Sequence, residues 1–162
     1  MMNYNKEDIF KETVKILQMN LDNIKKSAKN TKERAIAAPG AAVSHSDTTK
    51  NQLQTLAGGL DQRVYTLETE LGNLMNYKIK KNLHTVSLGA LVGLENLDTG
   101  IEKYCYILPA GAGTKIQTSK GPVNIITINA PLFVAMHGKN EGDEFTFNHN
   151  GSSQEYYVGK IQ

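Results

Sequence analysis

FKETVKILQMNLDNIKKSAKNTKERA, residues 10–35, decides the architecture. Its apolar and small positions are Phe10, Val14, Leu17, Leu21, Ile24, Ala28, Thr31 and Ala35. They recur at alternating steps of four and three, the a/d seam of a coiled coil. Globular helices usually bury a wider stripe than this. The segment therefore needs a partner helix rather than a broad core.

The partner follows in the same chain. Leu53, Leu56, Leu60, Val64, Leu67, Leu71 and Leu74 form a second seam, nearly as regular. Neither run contains a proline. Between them, Pro39 stops the first helix and Gly40 permits a turn. Ser44 or Ser46 suits the N-cap of the second helix, and Asp47 suits its positive end. Two seams joined by a short break predict an antiparallel hairpin, about 40 Å long at 1.5 Å per residue. Gly58-Gly59 weakens the second helix by about 1 kcal/mol per glycine relative to alanine, and marks a bend.

Beyond Lys78-Ile79-Lys80-Lys81-Asn82-Leu83 the period changes. Thr85–Leu97 reads as an extended run, Asp98-Thr99-Gly100 as a turn, and Ile101–Leu108 as the returning strand. Val123–Ile128 is β-branched and strand-like. Pro131–His137 reads as a short helix, with proline at its first position and Gly138 just past its end. Glu144–Phe147 and Tyr156–Ile161 flank Asn150-Gly151, a hairpin-turn signal. The expected fold is α+β: an N-terminal antiparallel coiled-coil hairpin over residues 1–77, with its tip at about 38–48, a linker at 78–84, and a small antiparallel β-sheet domain with one short helix over 85–162.

Composition narrows the function. The 162 residues carry a net charge of +2. Residues 1–82 hold 13 Lys/Arg against 9 Asp/Glu, and residues 83–162 hold 5 against 7. That is too mild for a protein that binds DNA through a strongly basic face. The single cysteine, Cys105, excludes an internal disulfide and a cysteine-based zinc site, and its strand-like context reads as core. No apolar run approaches the roughly 20 residues that cross a bilayer. The charged start carries no signal-peptide pattern. A monomeric cytoplasmic protein without membrane contact is expected.

The second half resembles a known family. Val86-Ser87-Leu88-Gly89-Ala90-Leu91-Val92, followed by Asp98-Thr99-Gly100, is similar to the opening of the C-terminal domain of bacterial Gre transcription-elongation factors. The segment from Ile128 to Glu144 resembles that family more specifically. Gre proteins carry a Ser-Pro-small helix there, then Leu-Gly-Lys-x-x-Gly-Asp. This chain has Pro131, Ala135, Gly138, Lys139, Gly142 and Asp143 in register, with Ala130 in place of the serine and His137 in place of an apolar residue. Tyr156, Tyr157, Val158 and Ile161 resemble the final strand. The order of hairpin and then FKBP-like domain covers essentially the whole chain.

The resemblance implies a partner and a chemistry. Gre factors bind RNA polymerase, insert the hairpin into its secondary channel, and place two acidic tip residues near the polymerase's catalytic magnesium and the 3′ end of a backtracked RNA. Hard oxygen ligands suit magnesium, and a metal pair clamps the attacking and leaving oxygens. The family's acidic pair is missing here. The tip offers Asp47 as its one carboxylate and weak metal ligand, with His45 and Ser46 beside it; Asp47 equally serves the helix end, and His45 equally reads as a surface residue. The resemblance thus implies channel occupation that modulates elongation without transcript cleavage. The chain would hold no cofactor of its own, at most sharing the polymerase's magnesium. Lys25, Lys29 and Lys32, spaced along one helix face, match a family patch that faces RNA phosphates, or are ordinary coiled-coil flanks. Asn129-Ala130-Pro131 corresponds to the polymerase-contacting loop, or simply starts a helix. Two other classes remain open: an FKBP-type prolyl isomerase or chaperone, which needs a deep aromatic pocket, and a coiled-coil interaction module.

Overall fold

The computed structural model describes residues 4–38 and 46–162, apart from the side chains of residues 46–48. Two long helices, α1 (Lys6–Ala37) and α2 (Ser46–Met75), precede a sheet of six strands. The chain divides into two compact units: residues 16–72, and residues 1–15 together with 73–162.

In the first unit α1 buries Leu17, Leu21, Ala28, Thr31 and Ala35, with Ile24 half-buried. That is the expected seam. On α2 the seam differs at one position. Leu56 is 53% exposed and Ala57 is 7% exposed. The facing row in this unit is Leu53, Ala57, Leu60, Val64, Leu67 and Leu71, a strict 4-3 alternation. Phase, not side-chain size, selects the seam: neighbouring residues point about 100° apart around the helix. Two ion pairs fix the antiparallel register, Lys25–Glu68 at 2.7 Å and Lys32–Asp61 at 2.8 Å. Seven residues forward on α1 match seven backward on α2. The helix α2 runs unbroken through Gly58-Gly59, where nothing lies within 4 Å of an added Cβ.

In the second unit the start of α1 is capped by Asn5, whose Oδ1 accepts the Glu7 and Asp8 N–H groups at 3.1 and 3.3 Å. Here the helix buries Ile9 and Thr13, while Phe10 and Val14 are half-buried. The expected Phe10–Val14 seam is thus displaced by one residue, because these turns pack within the unit that holds the sheet. Tyr4 lies 5.1 Å, ring to ring, from Tyr104, and Phe10 lies 6.2 Å from Tyr77.

The strands are β1 (Leu91–Asn96), β2 (Glu102–Ile107), β3 (Lys115–Thr118), β4 (Gly121–Ile126), β5 (Glu144–His149) and β6 (Ser152–Ile161), in the order β3-β4-β2-β1-β6-β5. A six-residue helix, α3 (Pro131–Met136), lies between β4 and β5 in sequence. All pairings are antiparallel except β2 with β4, which is parallel. The sheet is therefore mixed. The reversal comes from β3, a four-residue strand missed in the sequence, which buries only Ile116 and lets β4 return alongside β2.

The run from Thr85 does not begin as a strand of this sheet. Thr85 bridges to Asn140, and Val86 exchanges backbone bonds with Gly138 and Lys139 at 2.9 and 2.8 Å. Gly89, at φ +96°, then breaks the run before β1. A Cβ at Gly89 would overlap the Tyr77 hydroxyl. The Asn150-Gly151 turn has positive φ at both residues, as a two-residue hairpin demands. One sheet face carries a core that includes Val92, Leu94, Cys105, Phe133, Met136 and Val158. Alternation along the strands puts Leu91, Tyr104 and Tyr106 on the other face.

Candidate functional site

The loop from β4 into α3 supplies the most developed surface. Ala130 N–H closes a turn on the Thr127 carbonyl at 3.0 Å, and Pro131 occupies the first helical turn. Phe133 and Met136 anchor α3 in the core at 7% and 0% exposure. That anchoring aims the opposite helix face outward. Asn129 and Pro131 are exposed, Val134 is 67% exposed, and Ile128 in the preceding loop is 48% exposed. The sequence-derived trio Asn129, Ala130 and Pro131 thus stands together on an apolar shoulder. Ile128 and Val134 complete it and were missed. Val134 was findable: it follows Pro131 by three, out of phase with Phe133 and Met136.

The N-cap position of α3 has no side-chain hydrogen bond, because Ala130 has no side-chain oxygen to offer. The residues after the helix are structural. Gly138 takes φ +76° and donates to the Val86 carbonyl. Gly142 takes φ +94°, and the Asp143 carboxylate accepts the Asn140 N–H at 2.7 Å. The Gly-Lys-x-x-Gly-Asp segment is therefore a helix stop followed by a carboxylate-closed turn into β5.

The lysine stripe is occupied. Lys25 and Lys32 hold the cross-helix pairs with Glu68 and Asp61, and Lys29 lies 4.0 Å from Glu33 one turn on. Each ammonium has a carboxylate, so the stripe is close to neutral. Such half-exposed pairs contribute about 0.2–1 kcal/mol each.

At the tip, His45 lies outside the described residues, and so do the side chains of Ser46 and Asp47, whose backbone forms the first turn of α2. Among the described residues no group of three or more His, Cys, Asp or Glu side chains could hold a metal ion.

Elsewhere the chemistry is quiet. Burial pushes the Cys105 thiol up to about 11, so it is not a thiolate nucleophile near neutral pH. A cleft of about 790 Å³ lies among Lys6, Lys81, His84, Glu141 and Lys160, and shares no residue with the α3 shoulder. Its charges are largely engaged: Lys6 donates to the Lys80 and Gln162 carbonyls at 2.7 and 3.0 Å, and Glu141 pairs with Lys160. The Ile161 N–H, 2.8 Å from Glu141, and the Lys160 ammonium hold the Glu141 carboxyl below its usual range. Phe133, Phe145 and Tyr156, three of the aromatic side chains available to an isomerase pocket, are buried in the core instead. Phe145 and Tyr156 stack at 5.6 Å in the core beside Phe133.

The fold and site define an α+β protein with a helical hairpin, a mixed six-stranded sheet and an exposed apolar helix start. No family model matches the chain, and no curated protein matches it. Solved structures similar to it include the GreA factor homolog 1 (Gfh1) protein of Thermus thermophilus, at 16% identity, TM-score 0.38 and coverage of 92% of this chain and 94% of that one. Thermus aquaticus Gfh1 is similar at 15% identity and TM-score 0.40, covering 91% and 92%. The transcription elongation factor GreA/GreB from Nitrosomonas europaea is similar at 17% identity and TM-score 0.36, covering 59% and 78%. Among the described residues, no helix is long and apolar enough to cross a membrane.

Proposed function

We propose that the chain is an RNA-polymerase-binding transcription factor of the Gre type, acting by occupying the secondary channel and not by promoting transcript cleavage. One observation carries the reading. The residues matching the family's polymerase-contacting loop, Asn129-Ala130-Pro131, sit on an exposed apolar shoulder with Ile128 and Val134, held by a buried anchor. A loop fixed on a rigid scaffold is where contacts to a partner are commonly made. The hairpin supplies the channel-entering element. Its tip offers one carboxylate, Asp47, where the family has two. A shared magnesium ion would gain a single ligand group from this chain, too few to recruit it strongly.

The test has two arms. In the first, bacterial RNA polymerase core enzyme is titrated with the full chain and with Val134→Asp. A charge placed in the middle of the shoulder weakens binding about tenfold or more. Undiminished binding by Val134→Asp removes the shoulder from the account. In the second arm, stalled elongation complexes are incubated with the chain, and no 3′ dinucleotide appears. Robust release that Asp47→Ala abolishes refutes the non-cleaving part while leaving the binding part intact.

A further inference from the structure

The sheet domain carries a second surface, independent of that reading. Directly opposite residues on neighbouring antiparallel strands share a face. Glu102 on β2 faces Glu95 on β1, Glu95 faces Tyr157 on β6, and Tyr157 faces Glu144 on β5. Glu155, two residues before Tyr157, belongs to the same face. None of the ion pairs among the described residues reaches these four glutamates. The hairpin gives its lysines carboxylate partners; among the described residues this face gives its carboxylates no ammonium partner. Like charges directly across a strand pair are destabilising, so the Glu95–Glu102 pairing costs the free protein stability.

Between the two glutamates and the two tyrosines lies a groove of about 190 Å³. Its floor is backbone: a Cβ at Gly159 would come within 3.3 Å of the Gly93 carbonyl oxygen. Tyr104 and Tyr157 line it, with Glu95 and Glu102 beside them. The Tyr104 hydroxyl donates to Glu102, fixing one carboxylate oxygen and leaving the other. The Lys160 ammonium at its margin is committed to Glu141 at 3.1 Å.

We propose that this groove is a docking site for an arginine side chain presented by a partner protein. Charge complementarity selects a cation. The flat glycine floor and the tyrosine rings select a planar one, which stacks on aromatic surface and bonds carboxylates in a fork. A divalent ion is disfavoured, because the groove offers two carboxylates and no group of three or more His, Cys, Asp or Glu side chains among the described residues could hold a metal.

The ¹⁵N-labelled full chain, titrated with a capped tetra-arginine peptide and with its tetra-lysine counterpart, tests the proposal. Saturable shifts at the Gly93, Tyr157 and Gly159 amides, with the arginine peptide preferred about threefold or more, support it. The Glu95→Gln/Glu102→Gln variant then binds the arginine peptide about tenfold more weakly while melting no lower than the parent. Glu102→Gln alone, at an exposed position, gives the same direction if the double variant folds poorly. Equal responses to both peptides, spread over all acidic residues, overturn the proposal as mere charge screening. So do stronger shifts at these amides with magnesium ions, or self-association of the chain through this face.

Discussion

The two compact units treat charge and phase in opposite ways. In the hairpin a single period organises everything: the seam repeats every seven residues, and the flanking lysines meet carboxylates at one register. In the sheet unit no period extends beyond a strand. Its organisation rests on individual residues whose backbone or size is special, such as Gly89, Gly138 and Gly142. A distributed design tolerates single errors outside its seam, whereas a design of single points concentrates the cost at those points.

Gly89→Ala is the harshest way to challenge that contrast. The substitution meets an unfavourable φ, worth about 1–2 kcal/mol, and an overlap with the buried Tyr77 hydroxyl, worth about 1–3 kcal/mol more. A loss near 3 kcal/mol or above is expected in urea unfolding. Among the described residues that hydroxyl makes no well-formed hydrogen bond, the Lys80 backbone being at most a weak partner. Tyr77→Phe in the same background should therefore restore part of the loss; no restoration places the penalty in the backbone alone. The hairpin gives the next largest effect. Leu67→Ala removes a side chain 3% exposed and should cost about 2–4 kcal/mol, while Leu56→Ala, at 53% exposure, should fall within about 0.5 kcal/mol of the parent. Equal costs at the two leucines would mean that the α2 seam does not run through Ala57.

That difference also sets what the sequence could disclose. The hairpin was legible because its signal is repeated; one misplaced member, Leu56 for Ala57, left the rest of the seam readable. The sheet's hairpin turn at Asn150-Gly151 was legible because two-residue turns have a narrow chemistry. The strand β3 was hidden because four residues burying one isoleucine make no pattern. The parallel pairing of β2 with β4 followed from β3 and was hidden with it. At the candidate site Asn129, Ala130 and Pro131 came from resemblance, but Ile128 and Val134 required exposure values. The lysine stripe left two readings open from spacing alone, and only cross-helix distances show that its charges are engaged.

Smaller effects sharpen the contrast further. Gly58→Ala and Gly59→Ala sit in an unbroken helix with open space for the added methyl groups. Each should stabilise the chain by about 1 kcal/mol, through helix propensity and a less flexible unfolded state. Thermal melting resolves this as a rise of a few degrees for each substitution. A fall in melting temperature would show that the pair serves a conformation other than straight helix. Ala130→Ser supplies the missing cap of α3 and should add somewhat less, about 0.5–1 kcal/mol. In the sheet unit, then, one residue, Ala130, decides whether α3 is capped, as expected where the design rests on single points.

The smallest effect bears most directly on the charge half of the comparison. If Lys32 and Asp61 only happen to lie close, Lys32→Ala and Asp61→Ala should act independently. If they are a register-setting pair, a double-mutant cycle should return a coupling of about 0.3–0.5 kcal/mol, fading as salt rises. The swap Lys32→Asp with Asp61→Lys should regain most of what either reversal alone loses, because the attraction depends on opposite signs and not on which helix carries which. Persistence of the loss in the swapped protein would mean that Lys32 is held for its charge toward some other group, and that the stripe's neutrality is incidental to its use.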